Sequence, residues 1–117
     1  MRAAKQNYIA ILRIELEDLH HDIERLAEEC SKGHDAGYLS ENVFMQNLAT
    51  FKNELLGVHS FQHVLDEIDP NAYDTVDEMI EDIRKRFQHL IRSHGLVDAL
   101  KIYVNRKLDK VARYVKQ

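Results

Sequence analysis

Ile9, Leu12, Leu16, Leu19, Ile23, Leu26 and Cys30 follow one another at spacings of three or four without a break. That spacing returns every side chain to one narrow stripe of an α-helix and cannot line one face of a strand. It predicts a helix from about Ala3 to Lys32, on the order of 45 Å long. An apolar stripe of that length cannot stay in water, so the chain must supply other helices to cover it. Lys32 followed by Gly33 provides a basic last turn and a residue free to take positive φ, which is the predicted stop.

The remainder of the chain reads as those covering helices. "GHDAGYLSE" is a loop, with Ser40 placed to cap a second helix and Glu41 suited to its positive end. Phe44, Leu48, Phe51, Leu55, Val58, Gln62 and Leu65 share one face of that helix, and Phe61, Val64 and Ile68 form a second apolar stripe beside it. Gly57 lies inside it as a candidate kink or close contact. Asp69-Pro70 ends it, because proline lacks the donor that a continuing helix needs. Asp74 or Thr75 caps a third helix with Val76, Ile80, Ile83, Phe87, Leu90 or Ile91, and His94 turned inward, stopped at Gly95. A fourth runs from about Val97 to Val115, facing inward through Val97, Leu100, Val104, Leu108, Val111 and Val115. The expected fold is all-α: one domain over residues 1–117, an up-and-down antiparallel four-helix bundle with a longer helix 1–helix 2 hairpin. About ten residues of that hairpin, on the order of 15 Å, should lack cover from the shorter pair.

Composition narrows the class of protein. A chain that is 44% hydrophobic and 31% charged suits a folded helical domain and argues against disorder. One cysteine excludes an internal disulfide, and Cys30 on the stripe reads as a small buried hydrophobe. The N-terminal apolar run is too short for a signal-peptide core, and no segment nears the roughly 18 apolar residues of a membrane span. The expected location is the cytoplasm. Residues 1–83 hold 6 Lys+Arg and 18 Asp+Glu, a balance of −12, whereas residues 84–117 hold 10 and 2, a balance of +8. Acidic helices packed beside a basic one account for this most simply. The alternative is a nucleic-acid or other anionic partner on Arg106, Lys110 and Arg113 of the outer fourth helix.

Seven histidines raise metal binding. His20-x3-Glu24 and His59-x3-His63 each set two ligand types on one helical face. These two pairs superficially resemble the H-x-x-x-E and H-x-x-x-H motifs of the hemerythrin family, a resemblance that would imply a di-iron bundle. The chain lacks the family's histidine-carboxylate motif on the last helix, and its motifs fall in a different helix order. With the turn centred on residues 33–40, His20 faces about Asn53 and His59 faces about Ile14, which separates the pairs by roughly 9 Å along the axis. The reading is therefore no metal and no cofactor, with His20, Glu24, His59 and His63 the only candidates. Asp77, Glu78, Glu81 and Asp82 read as a solvated helix start. Arg84-x4-His89 is similar to the short Arg/His pattern of HEPN-superfamily ribonucleases over two residues only.

Bundles with an unpaired apolar face more often carry an interface than an accident. The functional expectation is a protein that binds other macromolecules, foremost a second copy of itself, without catalysis of its own. Leu56, Phe61, Val64 and Ile68 are the expected interface. A histidine/carboxylate metal protein and a nucleic-acid binder are the alternatives.

Overall fold

The burial of one stripe organises the computed structural model of the chain, which describes residues 4–95 and 98–116. Its helices are α1 (Ala4–Asp35), α2 (Glu41–Glu67), α3 (Val76–His94) and α4 (Asp98–Val115), with one 3-10 turn at Pro70–Ala72. The described residues include no strand. α1 packs against α2 and α4, and α3 closes the arrangement by packing on both α2 and α4. Tyr8, Ile9, Leu12, Leu16, Leu19 and Ile23 of α1 are buried in one cluster with Val58, Phe61 and Leu65 of α2, Ile83 and Phe87 of α3, and Leu100, Val104, Leu108 and Val111 of α4. Phe61 and Phe87 meet at the centre with ring centroids 4.5 Å apart. Deep beside them, the Tyr8 hydroxyl donates to the Leu108 carbonyl at 3.2 Å.

The end of α1 differs from expectation. Gly33 is helical, α1 continues to Asp35, and Gly37 takes the left-handed conformation with φ 83°. The Tyr38 N–H donates to the Gly33 carbonyl at 2.8 Å and the Gly37 N–H to the His34 carbonyl at 3.1 Å. This is the paired Schellman closure, which puts glycine at the one position where a Cβ is penalised. Stopping there brings Leu39 back over Gly33. It also stacks the His34 ring on Phe44 at 4.1 Å and sets His34 Nε2 2.6 Å from Glu41 Oε2.

The other signals hold with smaller changes. Ser40 Oγ accepts from the Val43 N–H and Thr75 Oγ1 from the Glu78 N–H, which satisfies donors left free by each first turn. α2 passes through buried Gly57 without a break. Gly95, at φ 59°, ends α3. Ile91 is the last buried residue of the α3 line, and His94 is exposed beyond it. Val97 lies outside the described residues.

α1 and α2 have 32 and 27 residues, against 19 and 18 for α3 and α4. No residue of α1 after Ile23 and none of α2 before Phe51 joins the core cluster. Leu26, a stripe residue, is accordingly 49% exposed. Each seam between helices also carries a polar clasp. Arg13 meets Asp66 at 2.5 Å, Glu15 lies between Lys107 and Lys110 at 2.6 and 2.7 Å, and Arg84 reaches Asp109 at 2.7 Å. Arg86 meets Glu67 at 3.9 Å, and Lys116 pairs with Asp77. Much of the basic C-terminal third is thus neutralised by acids on its neighbours. Among the described residues no helix is long and apolar enough to cross a membrane.

The helix end can be tested by a pair of substitutions. Gly33→Ala should stabilise by about 0.5–1 kcal/mol, since its new Cβ meets only the Leu39 side chain, at 3.5 Å. Gly37→Ala should destabilise by roughly 1–2 kcal/mol, because φ there is positive. Urea unfolding that reversed these signs would place the stop at Gly33.

Candidate functional site

Three contacts set how α1 lies on α2. Arg13 meets Asp66, Cys30 Sγ accepts from Asn47 Nδ2 at 3.9 Å, and His34 meets Glu41. Partner numbers fall as α1 numbers rise, and with 1.5 Å of rise per residue on both helices His20 comes level with about residue 58 or 59. The expected separation of the two histidine pairs is therefore corrected. Moving the turn from Gly33 to Gly37 slides α2 along α1, and His20 and His59 now line one surface hollow with Lys52, Leu55 and Leu56. Its volume is about 410 Å³.

The hollow opens on the outer face of the hairpin. At about 100° per residue, Met45, Lys52, Leu56, His59 and His63 fall within about 60° of one another on α2, while Glu17, His20, His21, Glu24 and Glu28 fall within about 100° on α1. Leu56 is 66% exposed there. His20 Nε2 lies 3.4 Å from Glu24 Oε1, and His21 touches Glu24 at 3.3 Å and Glu17 at 3.8 Å. The His59 and His63 rings pack edge to face at 4.8 Å. His20 Nδ1 is buried with no hydrogen-bond partner. Among the described residues no three His, Cys, Asp or Glu side chains stand together so as to hold a metal ion. His20, Glu24, His59 and His63 share a face without converging into a complete ligand set.

The four expected interface residues do not form a patch. Phe61 is fully buried and Ile68 is 7% exposed, because α3 covers that side of α2. Val64 is half-buried over the groove between α2 and α3, beside Leu90. Leu56 alone stands in the open. The second apolar stripe of α2 is thus explained by the fold: it is the contact for α3.

The remaining candidates are dispersed. Cys30 is buried, as its stripe position implies. Lys110 is held by Glu15, whereas Arg106 and Arg113 are exposed on the outer side of α4. Arg84 is turned into the α3–α4 seam against Asn105 and Asp109, and His89 points to solvent beside Ser93. Asp82 is tied to the Tyr73 hydroxyl, and Asp77 to Lys116. A second groove escaped sequence reasoning: Ile11, Glu15, Lys110, Val111, Arg113 and Tyr114 border about 370 Å³ between α1 and α4. Lys110 and Arg113, named above for an anionic partner, border it, but spacing alone does not say which neighbour such residues meet.

Comparison with protein families, with curated proteins and with solved structures gives no match.

Two carboxyls respond to the fold in opposite senses. Hydrogen bonds from Lys107 and then Lys110 hold Glu15 below its ordinary value of 4.5. Its contribution to stability is present above that value and is lost as pH falls through the lower folded one. Burial pushes Glu54 above 4.5, so its contribution is present below that value and is lost as pH rises through the raised one. Glu15→Gln should cost roughly 1–3 kcal/mol at pH 7. Glu54→Gln should raise the melting temperature at pH 7, and the gain should vanish in acid. Thermal melts across pH 3–8 check both, and slopes of the same sign would contradict the assignment.

Proposed function

We propose that the chain is an up-and-down antiparallel helical bundle of the cytoplasm that works by binding other macromolecules, first of all a second copy of itself, without catalysis of its own. Contacts at two heights, of residue 13 with 66 and 34 with 41, and of 77 with 116 and 84 with 109, support alternating helix directions. One observation carries the dimer: Leu56 is 66% exposed in an apolar hollow that the fold does not need for its own core. The expected interface is relocated accordingly, from Phe61 and Ile68 to the outer face of α1 and α2.

The chemistry of that face favours a second copy as the occupant. Its α1 edge carries Glu17, Glu24 and Glu28, and its α2 edge carries Lys52, His59 and His63. A two-fold axis running along the hairpin lays the α1 edge of one copy over the α2 edge of the other. Carboxylates then meet cationic and imidazole groups around Leu55 and Leu56, the apolar lining of the hollow. Apolar burial supplies most of the affinity in such an arrangement, and the flanking charges set its orientation.

Light scattering at tens of micromolar should give twice the mass of one chain. Leu56→Asp should give a folded monomer with unchanged helical content, since that side chain adds little to the core. A wild-type monomer, or a dimer untouched by Leu56→Asp, would remove this reading.

A further inference from the structure

We propose that His20 and His59 are donors for a divalent transition metal of the zinc class, held between two copies of the chain. This rests on the dimer proposed above. The two imidazoles reach the same hollow from different helices. Two nitrogen donors are too few for a zinc ion, which takes four ligands in a closed site. A two-fold axis supplies the remainder. It doubles every donor near it, and an axis along the hairpin keeps each residue at its own level. Because His20 and His59 are level with each other, their two symmetry mates join them in one layer of four imidazoles. Had the two residues been offset along the hairpin, the same axis would produce two separate pairs.

The surroundings of each ring fit this role. A metal-bound histidine usually gives its other nitrogen to a carboxylate, which fixes the ring and raises its basicity. Glu24 Oε1 lies 3.4 Å from His20 Nε2, which assigns Glu24 to positioning and leaves Nδ1 as the free donor. That Nδ1 is buried and without a partner, so the ring must turn about its Cβ–Cγ bond to present a free nitrogen in the hollow. His63 packs its ring edge to face on His59 and fixes its direction one turn along α2. Leu55 and Leu56 give the hollow an apolar wall.

The test uses the full chain without a polyhistidine tag, stripped with chelator and titrated with ZnCl2. Bound zinc by mass spectrometry should reach one ion per two chains, and light scattering should show the dimer strengthened by metal. Co²⁺ in place of zinc should give the absorption of a tetrahedral site. His20→Ala and His59→Ala should each weaken zinc binding by at least about tenfold. His94→Ala, at the exposed end of α3, should leave binding as it was. A dimer that forms equally well without zinc and binds none overturns the metal site and leaves the dimer standing. A monomer with and without zinc overturns both. One zinc per chain, or binding that survives His59→Ala, overturns the shared site.

Discussion

The need to cover the apolar stripe of α1 governs the other contacts. α2 and α4 lie along its two flanks, and α3 spans between those two. Each fully buried Leu, Ile or Phe is worth about 1.5–3 kcal/mol, whereas an exposed ion pair is worth at most about 1. The stripe therefore decides that the helices associate. The clasps at Arg13–Asp66, Glu15–Lys107 and Arg84–Asp109 decide which flank meets which neighbour and at what height. Even the buried Tyr8 follows this division, with its ring in the core and its hydroxyl spent on a carbonyl of α4.

Height along the seam is where a small local choice acquires distant effects. Two glycines stand near the end of α1, and either could take positive φ. Closure at Gly37 lets Leu39 lie over Gly33 and lets His34 contact both Phe44 and Glu41. Those contacts are lost if the helix ends a turn sooner. The same choice slides α2 along α1 and sets His20 beside His59 in one hollow. The conjunction of histidines on the hairpin is a consequence of how its loop closes.

Two surfaces of the hairpin lack cover from α3 and α4, and they differ in kind. At its far end, α2 turns Asn47 and Thr50 toward the open side, so that surface is suited to water despite Leu26. On its outer face, Leu56 is apolar where the monomer has no use for it. Contiguous apolar surface is the stronger sign of a missing partner, and Leu55 beside Leu56 in the hollow supplies it. This difference is why the proposed dimer is placed on the outer face.

Sequence alone determined the number of α-helices, most of the inward lines of α1, α3 and α4, the cap at Ser40 and the ends at Pro70 and Gly95, and it narrowed the cap of α3 to Asp74 or Thr75. Such features depend on residues within one or two turns of each other, and their spacing and conformational preferences are local. It also exposed the mismatch in helix length that leaves the hairpin end bare. The tertiary structure decided which helix covers the second stripe of α2, and so moved Phe61 and Ile68 from surface to core. It decided that His20 and His59 are neighbours. It decided that Lys110 and Arg84 are tied to carboxylates of neighbouring helices while Arg106 and Arg113 stand exposed on the outer side of α4. Each of these turns on the register and partner of a helix. Those are set by the sum of many weak side-chain contacts between residues far apart in the chain, and no short window of sequence contains that sum.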